Sequence, residues 1–292
     1  MSEAAQTAPD IRPLSAREFD QIRRLAYDHF GLDLRDGKQT LVSARLGKKI
    51  REMNLGSYQE YYRHVIEDPT GEALISLVDA LTTNHTSFFR EAAHFEFLRG
   101  TVLPSLRGRG RISIWSAACS TGEEPYSIAF SLLDELGQDF SRVRILATDI
   151  STRVLAAAGR GIYGADRFEG IPVHQLRRYV LRGAGRFSNS YQVKPELRSA
   201  VEFRRLNLMD PFSHMGAFPV IFCRNVMIYF DKATQQDLVN RLAACLEPGG
   251  YLLIGHAESL NGVAHPLRYV RPAVYQKPDA AQPGAGRQGA AR

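Results

Sequence analysis

Residues 112–149 read ISIWSAACSTGEEPYSIAFSLLDELGQDFSRVRILATD. A short apolar run, Ile112–Trp115, passes into small residues from Ser116 to Gly122. A helical pattern then runs from about Glu124 to Leu136, and a second apolar run, Val143–Thr148, ends at Asp149. Another helix begins at Ser151. The unit returns downstream with an apolar run at Val220-Ile221-Phe222 and a long helix from about Lys232 to Leu246. A Pro248-Gly249-Gly250 turn and a further run, Tyr251–Ile254, follow it. Short strands alternating with helices of about 10–15 residues predict an α/β domain, doubly wound on a mostly parallel sheet. The last runs, Leu267–Val270 and Ala273–Gln276, are parted by Arg271-Pro272 and predict antiparallel strands at one edge.

Upstream the grammar differs. From Leu14 to Leu81 the chain reads as helices throughout. Ser15 followed by Glu18, and Ser57 followed by Glu60, fit capping boxes. Val42, Leu46, Ile50 and Met53 recur at helical spacing, and a fourth helix covers Glu72 to Leu81. Between Gly159 and Leu208 the strand–helix alternation is interrupted. A helical stretch (Val173–Leu181), a Gly-rich turn (Arg182 to Gly185) and two strand-like runs, Tyr191–Val193 and Val201–Phe203, predict a small antiparallel β insertion over about 168–205. The domain plan is an all-α N-terminal domain over 14–83 and a catalytic α/β domain over 84–277. Disordered ends are expected at 1–13 and 278–292, the latter Pro/Gly/Ala-rich without core-forming residues.

The composition, 44% hydrophobic and 23% charged over 292 residues, is that of a globular chain rather than a disordered or fibrous one. Three distant cysteines offer neither a disulfide framework nor a zinc knuckle. The start, MSEAAQTAPD, lacks the basic and apolar segments of a signal peptide, and no apolar run reaches the roughly 20 residues of a membrane span. A reduced, cytoplasmic protein without direct membrane insertion is the expectation. The net charge of +6 admits nucleic acid, an anionic membrane or an acidic protein as partner.

An open α/β sheet binds ligand at the carboxyl ends of its strands, where the strand order reverses. The first turn, Ala117 to Gly122, carries neither G-x-G-x-x-G nor G-K-[ST], which excludes a P-loop nucleotidase and argues against a dinucleotide enzyme. Glu123 and Glu124 open the following helix. Two carboxylates there either suit a cationic ligand and repel a pyrophosphate, or merely complement the helix dipole. Asp149, at the end of the second strand, is placed to accept hydrogen bonds from ribose hydroxyls. A positively charged nucleoside without phosphates satisfies both observations, and S-adenosylmethionine is the evident candidate.

Three blocks sharpen that reading. Leu81-Thr82-Thr83-Asn84-His85-Thr86-Ser87-Phe88-Phe89-Arg90-Glu91, Trp115 through Ser127 and Phe222-Cys223-Arg224-Asn225-Val226-Met227-Ile228-Tyr229-Phe230 resemble the chemotaxis receptor methyltransferases, the CheR family. Gly255-His256-Ala257-Glu258 is a looser fourth match. The blocks keep the family's order over roughly residues 14–277. The resemblance implies a class I S-adenosylmethionine-dependent methyltransferase acting as a protein-glutamate O-methyltransferase. Its substrates would be glutamates on the cytoplasmic helical bundle of chemoreceptors, with no nucleic-acid partner and a monomeric enzyme. It carries the cofactor positions to Asn84, Thr86, Arg90, Glu124, Asp149, Asn207, Leu208, Arg224 and Asn225. It also places Tyr229 near the transferred methyl group and implies no metal. In some members the insertion docks a receptor's C-terminal pentapeptide by strand addition, for which Tyr191–Val193 is the candidate.

Arg90 offers a planar charged fork for a carboxylate of cofactor or substrate, against the plainer reading of an ion pair with Glu91 or Glu96. Arg90 and Tyr229 are therefore the candidate catalytic residues. Lys38, Arg45, Lys48, Lys49 and Arg51 occur in a stretch without acidic residues. Within it Arg45, Lys48 and Lys49 are candidates for docking an acidic receptor helix. Two rivals remain at this stage: a methyltransferase for another protein or a nucleic acid, and a silent adaptor that binds without turnover.

Overall fold

A computed structural model describes residues 11–83 and 85–279. Most of both expected disordered ends, and Asn84, lie outside the described residues. Four helices come first: α1 (Ala16–Phe30), α2 (Gln39–Glu52), α3 (Tyr58–Glu67) and α4 (Glu72–Leu81). Ser15 closes a full capping box on α1, its Oγ accepting the Glu18 N–H at 3.3 Å while the Glu18 carboxylate accepts the Ser15 N–H at 2.9 Å. The second box is only half made. Ser57 caps α3, but the Glu60 carboxylate turns back to the Gly56 N–H at 2.8 Å. Ile22, Ala26, Val42, Leu46, Ile50, Tyr61 and Leu77 bury one stripe of each helix in a common core.

A helix that the sequence pattern did not announce follows, as α5 (Ala93–Phe97), a π turn over Leu98–Val102 and α6 (Leu103–Leu106). The wide turn lies directly ahead of Pro104, which has no N–H for the helical ladder and crowds the preceding turn.

The α/β domain contains β1 (Ile112–Ala117), α7 (Glu123–Leu136), β2 (Val143–Asp149), α8 (Thr152–Arg160), β3 (Ile162–Gly164), α9 (Val173–Tyr179), β4 (Val180–Arg182) and β5 (Ser190–Val193). Next come α10 (Pro195–Arg198), β6 (Val201–Arg205), β7 (Phe218–Cys223), α11 (Lys232–Ala244), β8 (Leu246–Leu253), β9 (Arg268–Arg271) and β10 (Val274–Gln276). The main sheet has seven strands in the order β6-β2-β1-β7-β8-β10-β9. β6, β2, β1, β7 and β8 run parallel, and β10 is antiparallel to both β8 and β9, as the sequence predicts. Alternate residues of β1 feed opposite faces: Ile112 and Ile114 join the core under α7, Trp115 and Ala117 the core under α11. The result is a helix–sheet–helix sandwich. No helix among the described residues is long and apolar enough to cross a membrane.

The insertion differs from its expected form. Val201–Phe203 belongs to β6, which pairs with β2 from Ile145↔Val201 to Asp149↔Arg205 and so forms an edge of the main sheet. An edge strand needs few apolar residues, and this one alternates with Glu202, Arg204 and Arg205. The small sheet is instead β3-β5-β4, beginning at Ile162. Val180 and Leu181 leave the helix to form β4. Tyr191–Val193 is the middle strand, hydrogen-bonded on both sides. It has no free edge for an added strand.

One glycine anchors the domain's first turn. Gly122 has φ +96°, and a Cβ there would lie 2.8 Å from the Ala158 Cβ and 2.9 Å from the Tyr163 hydroxyl. The turn thus reaches the start of α7 only because that residue has no side chain.

Candidate active site

The strand order reverses between β1 and β7, and there a pocket opens above the carboxyl ends of β1, β2, β6 and β7. Phe30, Leu32, Val78 and Asp79 of the N-terminal helices form a wall of the same pocket, and the segment from Thr82 to Arg90 closes it.

The turn after β1 is stitched to β2. Ala118 and Ser120 adopt left-handed φ values of 58° and 50°, and the Cys119 N–H donates to the Thr148 carbonyl at 2.9 Å. This aims the Ser120 N–H at Asp149 Oδ2 (2.8 Å), while the Ser151 N–H reaches Oδ1 (3.0 Å). Burial pushes the Asp149 carboxyl up, opposed by these amides. Each oxygen accepts one backbone bond and keeps lone-pair capacity for a further donor, the pattern that a vicinal diol requires.

Of the two carboxylates that open α7, the structure brings only Glu124 to the pocket. Glu123 is buried, tied to Arg167 of the insertion and to the Thr121 hydroxyl at 2.7 Å. Glu124 accepts from Ser116 Oγ at 2.7 Å and from Arg224 Nη1 at 2.9 Å, and burial pushes its carboxyl up. Arg224, its side chain 2% exposed, also donates through Nη2 to Glu91 at 2.9 Å and to the Arg90 carbonyl. Burial raises the Glu91 carboxyl, but the Arg224 bonds outweigh it and hold the group below its ordinary value. Asn225 adds a side-chain bond to Glu91 at 3.3 Å.

Arg90 lines the pocket and donates to the His85 carbonyl at 2.7 Å. Among the described residues it forms no ion pair with Glu91 or Glu96. Thr86 is buried, with its carbonyl held by Arg167 at 2.6 Å, and Leu208 supplies an apolar wall. Asn207 lines the pocket while bonding outward, Nδ2 to the His29 carbonyl at 2.8 Å and Oδ1 to the Met209 N–H at 3.1 Å. The Tyr229 hydroxyl accepts the Thr83 N–H at 2.8 Å, and its carbonyl accepts the Asp33 N–H at 2.8 Å. Nine pocket-lining candidates are thus brought together, whereas Arg45, Lys48 and Lys49 stand apart on α2. Arg45 binds the Leu81 carbonyl and Thr83 Oγ1 (2.8 Å), and Lys49 binds the Ser76 carbonyl at 3.2 Å. These two serve the C-terminal half of α4, leaving Lys48 exposed.

The sequence reading gave no role to Glu91, Asp79, Phe30 or Leu32 in the site. Glu91 was weighed only as a partner for Arg90. Phe30 and Asp79 sit in helices whose apolar periodicity reports the bundle core, Leu32 just past the end of α1, and nothing local says that these positions face a second domain. Glu91, His94 and His256 bring ligand-type atoms within 4.8 Å of one another. The Glu91 oxygen facing them is already bonded to Arg224, whose fixed charge opposes a cation there. All three cysteines are buried, with burial raising their thiols, so none is poised as a nucleophile.

Formally the pocket lining carries Asp79, Glu124 and Asp149 against Arg90 and Arg224, one negative charge in excess. Such a site disfavours phosphates and fits S-adenosylmethionine, which bears two cationic groups and one carboxylate. The apolar wall fits an adenine ring.

The strand order and the site at its switch point define a class I S-adenosylmethionine-dependent methyltransferase. The family described as CheR methyltransferase, SAM binding domain, matches residues 84–275, and its all-alpha domain matches residues 17–82. The chain belongs to the CheR methyltransferase family. It is 43% identical over 259 residues to chemotaxis protein methyltransferase 2 of Pseudomonas aeruginosa, covering 88% of this chain and 92% of that protein. It is 41% identical to the chemotaxis protein methyltransferase of Borreliella burgdorferi, covering 89% of this chain and 94% of that one. Against the Escherichia coli protein of the same name the identity is 40%, over 85% and 86% of the two chains.

Replacing Arg224 by Met leaves Glu91 and Glu124 buried without their cation. Removing one partner of a buried pair costs about 3–5 kcal/mol, and urea denaturation of Arg224→Met should show a loss of that size. A loss below about 1 kcal/mol, the range of an exposed pair, would mean that the cluster does not hold these elements together.

Proposed function

We propose that this protein transfers the methyl group of S-adenosylmethionine to glutamate side chains on the cytoplasmic helical bundle of chemoreceptors, forming glutamate methyl esters. The observation that carries the reading is the pocket at the switch point. It offers the spare acceptor capacity of Asp149 beside a lining with an excess of negative charge. The names of the curated relatives support the receptor as substrate. The enzyme is read as a monomer that works in the cytoplasm.

When bound, S-adenosylmethionine supplies an electrophilic methyl carbon on a cationic sulfur. The acceptor glutamate has an ordinary pKa of about 4.3 and is already ionised at neutral pH, so no side chain has to remove a proton. What the residues must provide is placement, which is worth about 7–11 kcal/mol in well-oriented reactions. Asp149 would accept hydrogen bonds from the ribose hydroxyls, and Phe30, Leu32 and Leu208 would hold the adenine. Thr86, Glu124, Asn207, Arg224 and Asn225 would complete the cofactor's surroundings, and Asn84, a candidate by resemblance, lies outside the described residues. Arg90, with no carboxylate partner among the described residues, would receive a carboxylate of cofactor or substrate. The Tyr229 ring, held through its hydroxyl by Thr83, lines the pocket and would help to place the methyl group.

Lys48, 77% exposed and paired at 3.8 Å with Glu52 of its own helix, is the docking candidate on α2 that is not tied to α4. Arg45 and Lys49 support the docking face by fixing α4 beneath it. A receptor pentapeptide would add to β4, an edge of the small sheet, in place of Tyr191–Val193.

Purified protein given radiolabelled methyl donor should place base-labile label on receptor fragments. Base-stable label would point to amine methylation, and binding without transfer to an adaptor. Asp149→Ala should abolish S-adenosylhomocysteine binding in calorimetry, and unchanged binding would show the pocket to be misassigned. Lys48→Glu should slow receptor methylation at low salt without altering cofactor affinity. An unaltered rate would remove α2 from the docking surface.

A further inference from the structure

We propose that Glu258 is a positioning residue for methyl transfer: from outside the pocket lining, it fixes the course of the segment Arg224–Tyr229, of which Arg224, Asn225, Val226 and Tyr229 line the pocket. The proposal rests on the reading of the site given above.

β7 ends in a buried residue, Cys223, and the chain must then turn at once to run along the pocket. It does so through Asn225 at φ +59°, a left-handed conformation uncommon outside glycine. Such a backbone persists only where its surroundings hold it. The surroundings here are two carboxylates. Glu91 takes the side chains of Arg224 and Asn225, as described. Glu258 takes the backbone: Oε2 accepts the Asn225 N–H at 2.9 Å, and Oε1 accepts the Ile228 N–H at 3.3 Å. A third amide, that of Gly255, also donates to Oε2. Two of these donors lie after β7 and the third after β8, so one carboxylate ties together the carboxyl ends of two neighbouring parallel strands.

Gly255 makes the close approach possible. A Cβ at that position would run into the Asn225 side-chain amide and lie 2.9 Å from Glu258 Oε2. Among the described residues Glu258 has no ion-pair partner. Burial disfavours its charge, which the backbone amides oppose. The carboxyl group is held by backbone donors, in a loop of the chain that does not itself reach the pocket lining. A lone neutral amide cannot replace it. Glutamine offers a single carbonyl oxygen and turns an NH2 group toward the remaining N–H donors.

The test uses the full chain with Glu258→Gln and, independently, Gly255→Ala, which keeps the carboxylate but pushes on Asn225. Three readouts are taken: melting temperature, S-adenosylhomocysteine affinity by calorimetry, and the kinetics of receptor-fragment methylation. Positioning predicts that both variants still fold, with a lowered melting temperature that leaves them native at the assay temperature. Each should lose about tenfold or more in kcat, with the KM for the receptor fragment nearly unchanged and cofactor affinity weakened several-fold. Wild-type kcat and affinity in both folded variants would overturn the proposal. So would a lower melting temperature with unchanged constants for the folded fraction, or an insoluble Glu258→Gln, each of which assigns the residue to the fold alone. If the wild type itself methylates no receptor fragment, the reading of the function fails instead, and cofactor affinity of the two variants then decides this proposal.

Discussion

Arg224 lies between Glu91 and Glu124 with 2% of its side chain exposed, and the arrangement of the pocket depends on that contact. The three residues come from three separate places: the end of β7, the approach to α5 and the first turn of α7. A guanidinium taken out of water needs partners for its donors, and here two carboxylates and the Arg90 carbonyl engage Nη1 and Nη2, while Nε has no partner among the described residues. The same contact sets the electrostatics. Arg224 is engaged by carboxylates, whereas Arg90 lines the pocket without an ion pair among the described residues and is the proposed partner of a ligand's carboxylate. Because the cluster also fixes the backbone at Arg90, it determines where that side chain enters the pocket.

The helical domain is part of the site rather than an appendage. Its α1 end is held by Asn207 through the His29 carbonyl, and Tyr27 reaches Asp231 at 2.8 Å. Leu32 pairs with Phe230 as an isolated β-bridge, and Asp79 accepts from Ser151 Oγ at 3.1 Å. These bonds surround Asp149 and Tyr229, so the helices proposed to meet the receptor also wall the cofactor pocket. Arg45 connects the two tasks directly, since it holds both the end of α4 and Thr83, which in turn holds the Tyr229 hydroxyl. A few hydrogen bonds therefore connect the proposed docking face with Tyr229 in the pocket.

Much of this was legible in the chain. Strand–turn–helix grammar in residues 112–149 is local, and so is the full capping box at Ser15 and Glu18. The parallel sheet and the start of α1 follow from them. Asp149 was readable because a strand end in this fold has a fixed position relative to the crevice. What escaped is set by tertiary contact. Val201–Arg205 has too few apolar residues to announce a strand of the main sheet, because it lies at the edge. The helix from Ala93 is broken in pattern by a π turn ahead of Pro104. Glu123 and Glu124 are neighbours in sequence, yet one faces Arg167 of the insertion and the other faces Arg224. No spacing rule separates them. Likewise Glu258 is a single acidic residue in a loop until three backbone amides from two loops are seen to converge on it.

The account makes one cavity, shared by the sheet's switch point and the N-terminal helices, the place where methyl transfer occurs. A crystal structure of the protein with S-adenosylhomocysteine tests this most directly. The account predicts the ribose hydroxyls on Asp149, the adenine against Phe30, Leu32 and Leu208, and the sulfur facing Tyr229 and Arg90. A ligand seated elsewhere, or in this pocket with the ribose away from Asp149, would contradict it.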